Sequence, residues 1–167
     1  MAGQVSFDVT SSVDLQEVDN AVNQAKKEVA QRYDFKGSKA TIELKKGENL
    51  IELVADDSFK MDALWDILQT RMIRRGVPVK NLKLSDLETM GGSLVRRKVT
   101  LQQGIPSEAA KDIVKFLKDQ KLRKVQAAIQ GDQLRVSSPS KDELQSAIAL
   151  LRAQDFGVEL SFGNYRE

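Results

Sequence analysis

The chain has 167 residues, 41% hydrophobic and 30% charged, with a formal net charge of +2, which describes a globular chain able to bury a core as one domain or two small ones. It contains no cysteine and no histidine, which excludes disulfides, thiolate nucleophiles, Cys/His zinc sites and imidazole acid–base catalysis. No signal-peptide pattern opens it and no apolar run approaches membrane-spanning length, so it is compatible with the cytoplasm and no membrane partner is expected.

Residues 5–10 alternate Val5, Phe7 and Val9 with Ser6, Asp8 and Thr10, the period of a strand with one buried face. Asp14-Leu15-Gln16-Glu17 predicts a capping box and a helix to about Arg32, with Leu15, Val18, Val22, Ala25 and Val29 as its core stripe. Residues 39–45 and 50–55 read as a hairpin, and a helix over 58–75 carries Phe59, Leu64, Trp65, Leu68 and Met72. Pro78, Gly91 and Gly92 bracket a short run, 79–84, that reads as a strand. In 93–102, Val95, Val99 and Leu101 oppose Arg96, Lys98, Thr100 and Gln102, while Arg97 interrupts the apolar side and predicts a bulge or strand end. Gly104-Ile105-Pro106-Ser107 then opens a helix to about Gln120, with Ala110, Ile113, Val114 and Leu117 inward.

The clearest hairpin follows. Val125, Ala127 and Ile129, then Leu134 and Val136, alternate with polar or small residues around Gly131-Asp132, a two-residue loop that needs positive φ. Ser140-Lys141-Asp142-Glu143 caps a helix with Leu144, Ile148 and Leu151 on one side, and after Gly157 the alternating Val158, Leu160 and Phe162 read as a last strand.

This order of elements occurs twice. Lys46-Gly47-Glu48-Asn49-Leu50 echoes Gln130-Gly131-Asp132-Gln133-Leu134, and Arg75-Gly76-Val77 echoes Phe156-Gly157-Val158, which reads as a duplication. Two helices cannot insert into a sheet of hairpins, so they cover one face and leave the other open. The expected fold is α+β: tandem ferredoxin-like β-α-β-β-α-β sandwiches with antiparallel sheets, 1–90 as the first repeat and 91–167 as the second.

Residues 1–90 carry 13 Lys/Arg against 15 Asp/Glu, a net of −2, and residues 91–167 carry 13 against 9, a net of +4. That asymmetry points to an anionic partner for the second half. Alternation places Arg96, Lys98, Thr100 and Gln102 from one strand, Gln126 and Gln130 from the next, and Arg135 and Ser137 from a third on one polar face, with Lys121, Arg123 and Lys124 at its edge. Guanidinium and ammonium groups pair with phosphate and glutamine amides read base edges; the competing reading is a merely solvated face. RNA-recognition sheets stack bases on central aromatics, yet 94–102 and 133–137 contain none, and Phe7 and Phe162 read as core. Binding is therefore expected to be weak and salt-sensitive. Arg32-Tyr33-Asp34-Phe35 reads first as a helix-terminal charge with an aromatic anchor, and Asp56, Asp57 and Asp62 as helix caps rather than metal ligands. No GxxxxGK[ST] or GxGxxG segment is present, and neither cofactor nor metal is expected.

Ser6-Phe7-Asp8, Asp14-Leu15-Gln16-Glu17-Val18, Arg32-Tyr33-Asp34-Phe35, the stretch 124–136 and Asp142-Glu143-Leu144-Gln145 together resemble the YajQ family of small bacterial proteins, over about Phe7 to Tyr165. The resemblance implies tandem ferredoxin-like, RNA-recognition-like domains that exchange their first strands, here 5–10 and 94–102. It also implies nucleotide or nucleic-acid binding, and it supplies no catalytic residue. Around Gly91 the chain departs from the family loop, reading Met90-Gly91-Gly92-Ser93-Leu94-Val95-Arg96-Arg97. The expected function is a non-catalytic module for nucleotide or single-stranded nucleic acid, acting through the open sheet and an interdomain cleft. The alternatives are an adaptor in which a nucleotide, a cyclic dinucleotide among the candidates, shifts contacts with a protein partner, and an enzyme of unknown type.

Overall fold

Alternation along the strands and three- and four-residue spacing along the helices sort the apolar side chains into two separate cores. The computed structural model describes residues 4–122 and 124–167. In chain order its elements are β1 (Val5–Thr10), α1 (Leu15–Gln31), β2 (Thr41–Lys45), β3 (Leu50–Ala55), α2 (Ser58–Arg74), β4 (Leu82–Leu84), β5 (Glu88–Thr89), β6 (Val95–Leu101), α3 (Ser107–Asp119), β7 (Gln126–Gln130), β8 (Gln133–Ser138), α4 (Lys141–Ala153) and β9 (Ser161–Arg166). One compact unit is Val13–Gln102, and the other joins the chain up to Ser12 with Gln103–Glu167. The fold is α+β, an antiparallel sheet with two helices in each unit.

In the unit Val13–Gln102 the strand order is β2-β3-β6-β4, with β5 also on β6. Ile51, Leu53 and Ala55 of β3 and Val95, Val99 and Leu101 of β6 face a core completed by Val18, Val22, Leu64, Leu68 and Met72. Asp14 caps α1 by accepting from the Gln16 amide at 2.9 Å. Glu17, expected to close a capping box, instead accepts from Arg75 Nε and Nη2 at 2.9 and 3.1 Å. Asp57 caps α2 from the Lys60 amide at 2.8 Å.

Three further expectations in this unit need correction. Phe59 is 77% exposed rather than part of the core, because it lies in the first turn of α2, off the Leu64–Leu68–Met72 stripe. The run 79–84 is a 3-10 turn, Val79–Asn81, and only Leu82–Leu84 pair in the sheet. Arg97 makes no bulge: it stands opposite Leu53 in an unbroken register from Leu50↔Thr100 to Ala55↔Val95.

In the other unit the order is β7-β8-β1-β9. Val5, Phe7 and Val9 of β1 and Leu134 and Val136 of β8 pack against Ile113 and Leu117 of α3 and Leu144 and Leu151 of α4. Phe7 meets Phe162 edge to face, with ring centroids 5.9 Å apart, so both rings belong to the packing. Gly131 has φ of 64°, and Gln130↔Gln133 pairing closes the two-residue loop. The loop is tied to the start of α3: the Ile105 amide donates to the Asp132 carbonyl at 2.8 Å. A Cβ on the neighbouring Gly104 would run into the Asp132 side chain. Ser140 caps α4, accepting from the Glu143 amide at 3.3 Å.

Two more expectations shift here. Ile129 is 47% exposed because β7 is the sheet's edge strand. The final strand begins at Ser161, so Val158 is buried in the preceding turn rather than in the sheet.

Candidate functional site

The open side of the β7-β8-β1-β9 sheet is organised by Asp8. Its position on β1 points away from Phe7 and Val9, yet Asp8 is only 8% exposed, because three donors from neighbouring strands close over it. Asn164 Nδ2 on β9 donates to Oδ2 at 2.7 Å; Arg166 Nη2 on β9 and Arg135 Nε on β8 donate to Oδ1 at 3.0 and 3.3 Å. The Asn164 hydrogen bond, followed by Arg135 and Arg166, holds the carboxyl below its ordinary range although burial pulls the other way. A single carboxylate therefore fixes two guanidiniums and leaves the trio with one net positive charge. The Arg135 and Arg166 side chains remain 41% and 37% exposed, so N–H groups not used on Asp8 face solvent.

The neighbouring strand completes the face. Gln126 pairs with Ser137, Ala128 with Arg135, and Gln130 with Gln133, which puts two glutamine amides either side of a small residue facing Arg135. Gln126 and Gln130 are exposed. Lys121 and Lys124, both exposed, precede β7 at the end where Gln126 meets Ser137, and the Lys124 amide donates to Glu143 Oε2 at 3.3 Å. Arg123 lies outside the described residues.

The other sequence candidates stand elsewhere. Arg96, Lys98 and Gln102 belong to the unit Val13–Gln102, where β6 pairs with β3 and β4, so they share no sheet with Gln126, Gln130 and Arg135. The single polar face expected of the second repeat is two faces of two sheets. Arg96 donates twice to Glu88 Oε2, at 3.1 and 2.6 Å, which raises its pKa above the ordinary value. Lys98 stands opposite Glu52, which also pairs with Lys45 at 3.4 Å. Gln102 donates its amide to the Asn81 carbonyl at 2.8 Å and accepts from Asn81 Nδ2 at 2.9 Å.

Asp8, Asn164 and Arg166 were not among the candidates. Alternation marks Asp8 as open-faced, and an open-faced carboxylate reads as solvated; only its place on an inner strand shows that it needs partners. Arg32 meets Asp34 through Nε and Nη2 at 3.0 and 2.8 Å while Phe35 is buried, which is the anchoring role expected of that segment. Asp56 accepts from Ser38 Oγ and from the Lys39 amide. Among the described residues no group of three or more His, Cys, Asp or Glu could hold a metal, and no helix is long and apolar enough to cross a membrane.

Two antiparallel α+β units, one with a charge-paired open face, define a tandem ferredoxin-like α+β protein. The chain matches the model described as "Nucleotide-binding protein YajQ-like" over residues 5–166 and belongs to the YajQ family. A nucleotide-binding protein of Solibacter usitatus is 52% identical over 161 residues, 96% of each chain. One of Magnetococcus marinus is 52% identical over 162 residues, 97% of this chain and 99% of its own. One of Heliobacterium modesticaldum is 50% identical over 166 residues, 99% of each.

Proposed function

We propose that the protein binds a nucleotide or a short single strand on the open face of the β7-β8-β1-β9 sheet, without turnover. The observation that carries this reading is the Asp8 anchor, which holds Arg135 and Arg166 side by side with outward donors. Preorganised guanidiniums pair bidentately with phosphate oxygens at little entropic cost. Gln126 and Gln130 then supply amides for base edges, and Lys121 and Lys124 add exposed positive charge just before β7. The names of the relatives support nucleotide binding. The absence of histidine and cysteine supports binding without catalysis. Arg96 and Lys98 contribute less in this reading, because both stand on the other unit's sheet and Glu88 already engages Arg96.

The test is titration of labelled mononucleotides and short oligonucleotides at two salt concentrations. In the variant carrying Arg135→Gln and Arg166→Gln both charges are lost, while the amide at 135 stands where Arg135 Nε donated to Asp8 and Asn164 keeps its own hydrogen bond. Its affinity is expected to fall, and the salt dependence to flatten by about 0.7 log units per phosphate contact removed. Lys111→Ala with Lys115→Ala, exposed on α3 of the same unit, removes equal charge and leaves binding nearly unchanged. Equal losses in the two variants would assign the affinity to diffuse charge and remove the face.

A further inference from the structure

The unit Val13–Gln102 contains a cavity of about 410 Å³ that the sheet face does not use. It lies where the C-terminal half of α1, the connection after it, the start of β2 and the middle of α2 converge. Val29, Ala30, Phe35, Ile42 and Leu64 give it an apolar wall. That size falls within the roughly 300–1,000 Å³ of small-molecule sites, which are mostly apolar with a few placed polar groups.

The polar groups narrow the ligand. Lys26 lines the cavity and has no carboxylate partner among the described residues. Two neighbouring cations are already engaged: Arg32 by Asp34 and Glu28, and Lys60 by the Asp34 carbonyl. Across 26–39, Lys26, Lys27, Arg32, Lys36 and Lys39 stand against Glu28 and Asp34, five against two for a net of +3. An apolar chamber beside surplus positive charge suits a ring carrying an anion. Thr41 also lines the cavity, as does Ser38, whose hydroxyl is already engaged by Asp56 and the Ala40 amide; β2 is an edge strand of its sheet, so its outer edge offers backbone donors and acceptors beside the chamber. A hydrocarbon acid would leave those groups idle, whereas a nucleobase has hydrogen-bonding edges to meet them.

One more residue fits the same ligand. Tyr33 is 87% exposed, two positions from the buried Phe35, and the core does not use it. An exposed aromatic next to unpaired lysines is the element that stacks a following base in single-strand binding.

We propose that this cavity is a nucleobase site, taking the ring of a 5′-nucleotide with its phosphate at Lys26. The ligand is a free nucleotide or the end of a strand. The site is separate from the open sheet face and stands or falls apart from it.

The experiment follows methyl resonances of the full chain during titration with AMP, UMP, inorganic phosphate and an adenine tetranucleotide. AMP is expected to shift the methyls of Val29, Ala30, Ala40, Ile42 and Leu64, and phosphate alone is not. Lys26→Ala should weaken AMP about fivefold to tenfold. Ala30→Phe, at an exposed helical position, should fill the chamber and abolish the shifts; Lys26→Ala keeps the test readable should the larger side chain disturb folding. Tetranucleotide binding tighter than AMP and weakened by Tyr33→Ala identifies a strand, and equal binding identifies the free nucleotide. Cavity methyls unmoved by AMP, equal shifts from inorganic phosphate, or wild-type affinity in both variants would overturn the site. If the Arg135→Gln, Arg166→Gln variant loses nucleotide while the cavity methyls never respond, the cavity is overturned and the sheet face stands.

Discussion

Asp8 sits on an inner strand with three polar side chains drawn over it, and burial of a charge is tolerable only with such partners. Its carboxyl is held below the ordinary 3.8, which fixes the sign of its pH dependence. A depressed folded pKa contributes stability that is fully present above about 3.8 and is lost as pH falls through the lower folded value. Asp8→Asn should cost about 1–3 kcal/mol at neutral pH, the scale of hydrogen bonds to charged groups. The gap between wild type and variant should close as pH drops below the free-aspartate value. Denaturant unfolding at neutral and acid pH measures it, and a gap that stays constant would mean that the carboxylate charge does not matter to the fold. The residue alternation showed Asp8 on the open face, but nothing in one strand's sequence shows which side chains its neighbours bring across.

Along single elements the sequence was informative wherever one face had to be buried. The stripes of α1 and α3, the β2–β3 and β7–β8 hairpins and the caps Asp14, Asp57 and Ser140 are all where periodicity and capping chemistry put them. Periodicity failed where position in the sheet or helix decides exposure: Ile129 on an edge strand, and Phe59 in a first turn. Arg97 is the sharper case, since the apolar alternation of β6 was strong enough to keep a guanidinium on the core side opposite Leu53. Its Nε is buried without a hydrogen-bond partner. An unpaired buried donor costs about 1–3 kcal/mol, and methionine matches the length of the stem without the donor. Arg97→Met is therefore expected to raise stability by about 1 kcal/mol, read as a higher denaturation midpoint at unchanged slope. A lower midpoint would show that the outer nitrogens of Arg97 hold more structure than its Nε costs.

At the scale of the whole molecule, chain order and spatial grouping part company. Alternation tells which side of a strand is buried but not which strand lies beside it, so Arg96, Lys98 and Arg135 read as one face while β6 pairs with β3 and β4, and β8 with β1. The charge follows the strands: sixteen Lys/Arg against fourteen Asp/Glu give Val13–Gln102 a net of +2, and ten against ten leave the other unit neutral, where the sequence halves carried −2 and +4. This grouping makes a direct prediction about fragments. Cutting after residue 90 separates β1 from β8 and β9 and separates β3 from β6, leaving each fragment with a sheet that lacks an inner strand. Fragments 1–90 and 91–167 should each unfold without a cooperative transition. Fragment 13–102 keeps β2, β3, β6, β4 and both helices of its core, so it should unfold cooperatively by itself. At that length a single core is marginal but sufficient, and calorimetry alongside denaturant titration distinguishes the three. Cooperative, native-like unfolding of 1–90 and 91–167, with 13–102 disordered, would show that the pairings of β1 and β6 do not determine how the chain holds together.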